Sequence, residues 1–462
     1  MHTQVVPRIS GEEEVYRLRT PASRRFFAEA REYLPGGDSR STLFYRPYPA
    51  VMDRGEGCWL YDIDGNRLLD FTGNHSSLVH GYGHPAIIEA VQHQLGKGTC
   101  FPGSTEPQLR LAKLLCERIP SVERIRFTSS GTEASMNAIR AARAFTGRAR
   151  IATIEGGYHG LSADATADVV VLPFNEIDAA AGILQAEGEQ LAAVLVEPVL
   201  GSAGMIPAER EYLEMLRETT RRLGIILIFD EVVSFRVAAG GAQAYFGVSP
   251  ELTCLGKLIG GGFPLGAFGG RADIMALFDP THGRPPLPHP GSHNANPIGM
   301  VAGAATLELL TPQEIDLLNT RGGAIRRDLA AAFAEAGIAA QITGLGSLFA
   351  IHLTGQPVRS YRDTLDSDPD LRHQIFLGLF NEGVQIDPRG VGNVSTAIGP
   401  DEVGHVLRRE SDLLEHLLRA GPAEVFPSRL EQQLVGLRTI ERLLLSKHPP
   451  ALINKQPNGM IE

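Results

Sequence analysis

Apolar and polar positions along the chain follow several distinct rhythms. Residues 22–34, ASRRFFAEAREYL, are spaced as one face of a helix and run into Pro35-Gly36-Gly37, so a helix delivers the chain into a loop carrying Ser39 and Arg40. From 50 to 71 apolar and polar residues alternate around Asp64-Gly65, which predicts strands joined by a tight turn. Helical stretches at 85–97, 104–118, 133–145 and 208–223 then alternate with short apolar runs at 150–154, 169–172, 192–196 and 225–229. That alternation is the signature of a mostly parallel sheet covered on both faces by helices. A helix near 297–311 precedes a further helix-and-strand pattern through 325–352, 371–384 and 393–415, and residues 427–446 place Leu430, Leu434, Leu437 and Leu444 at helical spacing.

These rhythms predict an N-terminal segment over 1–70, a large α/β domain over 71–320, and a smaller α/β domain over 321–425 that the N-terminal segment completes. A helical extension over 426–462 follows. With 462 residues and 43% hydrophobic positions, the chain is large enough for more than one core. The formal net charge of -10 comes without a long block of like charge, which points away from nucleic acid and anionic membrane and toward small metabolites. No apolar run approaches the roughly 18 residues of a membrane span, and the N-terminus lacks an apolar signal core, so a cytoplasmic location is the default expectation. Cys58, Cys100, Cys116 and Cys254 are scattered and read as reduced, mostly buried thiols.

The chemistry concentrates at a few places. Asp230 and Glu231 end the apolar run LIFDEVV, and Lys257 follows about 27 residues later between Gly256 and the glycines Gly260, Gly261 and Gly262. An Asp-Glu pair alone is as readily a helix cap or a metal ligand, and a lone glycine-flanked lysine is as readily a surface residue. Together they match the needs of pyridoxal phosphate: a lysine amine for a Schiff base with the cofactor aldehyde, and a carboxylate to keep the pyridine nitrogen protonated. A Walker loop is excluded because Glu251 and Leu258 stand where it needs glycine and Ser or Thr, and no GxGxxG occurs.

The cofactor phosphate needs backbone N–H donors at a helix N-terminus. In RFTSSGTEAS a strand ends at Ser129, Ser130, Gly131 and Thr132 make the turn, and Glu133 opens a helix; the same text also serves as an ordinary helix cap. In EGGYHG, Tyr158 is suited to lie on the cofactor ring and His159 to tune or stack. Glu197 repeats the pattern of an acid at a strand end. A metal site is not expected: His80 and His84 are split by glycines, and His282, His289 and His293 share no ligand spacing.

In this order and spacing, SSGTEA (129–134), GYHG (157–160), EPV (197–199), FDEV (229–232), LGK (255–257) and Asn296-Pro297 after Gly291-Ser292 resemble the class III, fold-type I pyridoxal phosphate aminotransferases over roughly residues 20–418. The resemblance implies a large domain with a mostly parallel, seven-stranded type of sheet and a smaller α/β domain. It implies Lys257 as the Schiff-base lysine, Asp230 on the ring nitrogen, Val232 under the ring, Tyr158 above it, and Ser130, Gly131 and Thr132 on the phosphate. It further implies a homodimer with shared active sites, in which Ser292 completes the neighbour's phosphate cup.

Within the class, the β-amino-acid enzymes of the β-phenylalanine type are the nearer subgroup and glutamate-1-semialdehyde aminomutase the alternative. Arg40 in PGGDSRSTLFY, the short spacing in DEVVSFR and the text GAFGGRADIMALFDP favour the former. That subgroup implies Arg40 on a β-carboxylate and Arg389 as a mobile arginine that binds the α-carboxylate of a keto acid and moves away for an aromatic side chain, and planar guanidinium groups suit such carboxylate clamps. Leu200 and GNHSSLVHG (73–81) depart from the subgroup's text. The expected activity is transfer of an amino group from a β-amino acid to 2-oxoglutarate or pyruvate, with pyridoxamine phosphate as the aminated cofactor. A non-catalytic binding protein on this fold would be expected to have lost the lysine or the aspartate, and both are present.

Overall fold

A computed structural model describes residues 11–160, 169–399 and 402. The expected tail helix at 427–446, and most of the stretch 393–415, lie outside the described residues. In chain order, β1 (Met52–Glu56), β2 (Trp59–Asp62) and β3 (Arg67–Asp70) form an antiparallel meander. Next come β4 (Arg124–Thr128), β5 (Arg150–Ile154), β6 (Val169–Leu172) and β7 (Leu191–Val196). A short hairpin of β8 (Val199–Leu200) and β9 (Ile206–Pro207) leads to β10 (Ile226–Asp230), β11 (Leu252–Leu255) and β12 (Gly266–Gly270). The last strands are β13 (Gln341–Thr343), β14 (Leu348–His352), β15 (Val384–Gln385) and β16 (Val391–Asn393).

Among the described residues, seven strands form the large sheet in the order β4-β12-β11-β10-β7-β5-β6. All are parallel except β12, which runs antiparallel to both neighbours. Alternation along β10 explains why both sheet faces are covered: Leu227 and Phe229 join a core with Tyr212, Leu213 and Leu216, while Ile226 and Ile228 join Ala134, Ala138 and Ile139 on the opposite face. Each such fully buried aliphatic or aromatic side chain contributes about 1.5–3 kcal/mol.

The strand β12, GAFGG, had no legible strand pattern. Its glycines are there for clearance: a Cβ on Gly266 would meet the Ser130 carbonyl oxygen at 2.1 Å and one on Gly270 the Glu251 oxygen at 2.0 Å. The meander gains a fourth strand when β15 pairs in parallel with β3, so segments from the two ends of the described chain share one sheet. β13, β14 and β16 make a separate three-stranded sheet.

The expected helix 22–34 is shorter, Pro21–Ala30, because the chain turns before Pro35-Gly36-Gly37. All four cysteines are free, but only Cys58 and Cys254 are buried; Cys100 is exposed and Cys116 half-buried. Among the described residues no helix is long and apolar enough to cross a membrane.

Candidate active site at the carboxyl edge of the sheet

The loops that leave β4, β5, β7, β10 and β11 at the carboxyl edge of the sheet carry most of the candidate residues, the place where open α/β sheets gather ligands. Asp230 is the last residue of β10 and is 4% exposed. Its Oδ2 lies 2.8 Å from His159 Nδ1, and its Oδ1 accepts from the Val232 N–H at 3.1 Å. His159, left open between tuning and stacking, is thus a buried partner of the carboxylate.

Glu231, next in sequence, points into different company. It accepts from the backbone N–H of Ala242 and Gln243 and from Gln243 Nε2, which caps the helix Gly241–Phe246. Burial pushes its carboxyl up to about 7. Glu197 is buried as well and is also pushed up to about 7, chiefly by burial, with the neighbouring Asp230 charge adding to it against His159. It accepts from the N–H of Tyr158 at 2.8 Å and of Gly201 at 3.1 Å, so it orders the loop that presents Tyr158, whose ring is half-exposed.

Lys257 opens a one-turn 3₁₀ helix, Lys257–Gly260, with φ of 47°. Left-handed backbone at a non-glycine residue is uncommon. Burial lowers the lysine's pKa; Asp230 and Glu197 oppose that shift and Arg389 adds to it.

Ser130 is the N-cap of the helix Gly131–Thr146, its Oγ accepting from the Glu133 N–H at 3.2 Å while Glu133 accepts from the Ser129 N–H. The Ser-x-x-Glu text is therefore a helix cap, and the same cap sets the first turn and its dipole at the sheet edge. Gly131 and Gly256 bracket Val232: a Cβ on Gly131 would lie 3.0 Å from Val232 Cγ2, and one on Gly256 3.3 Å from Val232 Cγ1. Gly160, at φ of 72°, sits so close to Thr132 that a Cβ would meet Thr132 Oγ1 at 2.1 Å, which ties the Tyr158-His159 loop to the helix start.

The two arginines lie in different loops. Arg40 is exposed, with Nη1 3.0 Å from Asn74 Oδ1. Arg389 donates to both carboxylate oxygens of Asp387, Nε to Oδ1 at 2.8 Å and Nη2 to Oδ2 at 2.9 Å. Ser292 is exposed; its carbonyl faces Cys100 Sγ at 3.7 Å, and among the described residues it makes no hydrogen bond to the Lys257 group.

Sequence patterning missed the turn Gly73–Ser76. Gly73, Asn74, His75 and Ser76 all have positive φ, 47, 48, 54 and 70°, one turn of left-handed helix. Each non-glycine residue there costs about 1–2 kcal/mol, so the surroundings must enforce it. Asp70 accepts from the N–H groups of Thr72 and Gly73 and from the hydroxyls of Thr72 and Tyr82. Asn393 Nδ2 donates to the carbonyls of Phe71 and Thr72, and its Oδ1 accepts from the fully buried Arg236 at 2.7 Å. Strain held this firmly is characteristic of functional sites.

The chain as a whole is similar to known proteins. The family model described as aminotransferase class-III matches residues 43–171 and 172–398. A β-phenylalanine transaminase from Variovorax paradoxus is 43% identical over 380 residues, covering 80% of this chain and 87% of that protein. A glutamate-1-semialdehyde 2,1-aminomutase from Methanothermobacter thermautotrophicus is 39% identical over 388 residues, covering 79% and 92%. Among solved structures, an ω-transaminase from Sphaerobacter thermophilus matches with a TM-score of 0.84 at 43% identity, over 87% of this chain and 99% of that one. The chain belongs to the class-III aminotransferases. It is a transaminase of fold type I, and its cofactor is pyridoxal phosphate.

The residues present fit that cofactor. A buried carboxylate, a lysine of lowered pKa, a capped helix start and a valine bracketed by two glycines meet at one sheet edge. When bound, pyridoxal phosphate supplies an electron-accepting ring conjugated to the substrate amine.

Proposed function

We propose that this transaminase moves the amino group of a β-amino acid, including aromatic ones, to a keto acid such as 2-oxoglutarate or pyruvate, in two half-reactions. Lys257 holds the cofactor and then moves the proton at the carbon that bears the substrate amine, taking it as a base and returning it as an acid. Its lowered pKa favours the unprotonated amine that the first of these tasks needs. Asp230 keeps a proton on the ring nitrogen, and His159, at 2.8 Å, orients the carboxylate. The helix start at Ser130, Gly131 and Thr132 receives the phosphate, Val232 supports one face of the ring and Tyr158 covers the other. Glu197 positions the Tyr158 loop.

The observation that carries the substrate assignment is the pair of separate arginines, Arg40 and Arg389, held by different neighbours. Two independent carboxylate clamps suit an enzyme that must accept a β-carboxylate in one half-reaction and the α-carboxylate of a keto acid in the other. The β-phenylalanine relative supports the same reading. A homodimer is part of the proposal: exposed Ser292 reaches the phosphate of the neighbouring subunit, and the enzyme works in the cytoplasm.

Single-turnover spectra test the division of labour. Arg40→Ala should raise the β-amino acid concentration needed for the first half-reaction by about ten- to a hundredfold, the worth of a charged hydrogen bond of about 1.5–3 kcal/mol. Arg389→Ala should instead impair reamination by 2-oxoglutarate. Equal damage to both half-reactions by either variant would reject it. The aminomutase reading, which the second relative favours, requires conversion of glutamate-1-semialdehyde with no external acceptor.

A further inference from the structure

The left-handed turn at 73–76 takes no part in the chemistry assigned above, although Asp70, Asn393 and Arg236 hold it in place. It presents one polar side chain to Arg40 and another to Asp387, the partner of Arg389. Asn74 accepts from Arg40, and His75 Nδ1 lies 3.5 Å from Asp387 Oδ2. That oxygen is already held by Arg389 Nη2 at 2.9 Å, so the imidazole and the guanidinium converge on one carboxylate. The Asp387 side chain is 5% exposed and the Arg389 side chain 42%. The carboxylate is therefore the fixed member and the guanidinium the one with room to move.

We propose that Asp387 and His75 form a latch for this arginine: a ligand whose carboxylate is held by Arg40 alone leaves it closed, one that brings a carboxylate to Arg389 opens it, and His75 takes over Asp387 when Arg389 leaves. His75 is then a positioning residue that sets specificity. The inference rests on the assignment of Arg389 to the keto-acid carboxylate and specifies how that arginine is released.

Asp387 occupies the Nε–Nη2 edge of Arg389, so turning that edge onto a ligand carboxylate gives up Asp387, and a buried carboxylate stripped of its partner is strongly disfavoured. His75 is placed to supply the replacement by binding a proton. The groups that face it are Asp387 and Arg389 from the loop after β15, Arg40 from the loop before β1, and Lys257. Burial and the three cations hold the imidazole below its ordinary range, against Asp387. Departure of Arg389 removes one cation and leaves Asp387 uncompensated. The step that frees the arginine thereby raises the affinity of His75 for a proton, and dicarboxylate binding strengthens as pH falls.

Two unreactive probes test this on the holoenzyme by calorimetry: glutarate, with two carboxylates, and 3-phenylpropionate, with one carboxylate and a ring. Titrations in buffers of different ionisation enthalpy, across about pH 6 to 8 to span the imidazole range, count the protons. Glutarate should bind with proton uptake and 3-phenylpropionate without it. Asp387→Asn should bind glutarate about tenfold more tightly, with no uptake, because the latch no longer competes. His75→Gln, which keeps a hydrogen-bonding side chain without a titrating proton, should weaken glutarate about tenfold and abolish uptake while leaving 3-phenylpropionate within about twofold. Equal shifts of both probes in His75→Gln would show a merely structural role and overturn the latch. If glutarate binds without proton uptake while Arg389→Ala still weakens it, the latch fails and the arginine assignment stands. If Arg389→Ala leaves glutarate unaffected, the assignment fails and the latch with it.

Discussion

Replacing Asp230 by Asn removes one charge from the centre of the site and little else. The side chain is 4% exposed, so no water takes over its role. Its Oδ1 bond to the Val232 N–H survives in the amide, and the contact with His159 Nδ1 loses its charge while keeping its length. The fold should lose no more than the difference between a charged and a neutral hydrogen bond, about 1–2 kcal/mol. Catalysis should lose much more. At an effective dielectric of about 20, opposite charges 4 Å apart attract by roughly 4 kcal/mol, and if that attraction is felt as negative charge flows into the ring, the half-reaction slows about a thousandfold. Stopped-flow absorbance during one half-reaction measures the rate, with thermal unfolding and cofactor affinity as controls. A variant that folds, binds cofactor and retains more than about a tenth of the rate would refute the role of Asp230. It would move that role to Glu197, because Glu231 is occupied in capping the helix Gly241–Phe246.

Glu231→Gln tests that structural role through pH. The native carboxyl titrates near 7 against an ordinary value of 4.5, so the folded state keeps a proton that the unfolded chain releases, and stability from this group is lost as pH rises from about 4.5 through 7. Urea unfolding should show that slope in the parent and a shallower one in the variant; an unchanged slope would contradict it. Lys257→Ala should bind cofactor without the visible absorbance of the parent enzyme and lose turnover, and full activity in that variant would remove the lysine from the mechanism. If Ser292 completes a neighbour's phosphate cup, mixing Lys257→Ala and Ser292→Ala subunits should restore activity above the sum of the two, whereas additive activity after subunit exchange would speak against shared sites.

The clustering of the candidate residues was legible because they sit where strands end. Asp230 closes an apolar run, Lys257 follows β11, and Ser130 has the text of a helix cap, so each position carries a local signal as well as a family one. β12 was not legible, since its glycines answer to the backbone of Ser130 and Glu251 packed against them rather than to any strand propensity. The turn at 73–76 was not legible either: Asn74 and His75 are held left-handed by Asp70, close in sequence, and by Asn393, more than three hundred residues away. The partnership of Asp387 with Arg389 is local, but its approach to His75 is a tertiary event that no spacing announces. The separate fates of Asp230 and Glu231 depend on a helix, Gly241–Phe246, that brings its N-terminus to one acid only.

The most direct test of the account is the stoichiometry of one half-reaction. Holoenzyme mixed with β-phenylalanine and no keto acid should release one equivalent of keto product per site, convert the cofactor fully to its aminated form and stop; 2-oxoglutarate should then restore the original spectrum. Continued turnover without an acceptor, or no spectral change with any β-amino acid together with conversion of glutamate-1-semialdehyde unaided, would contradict it.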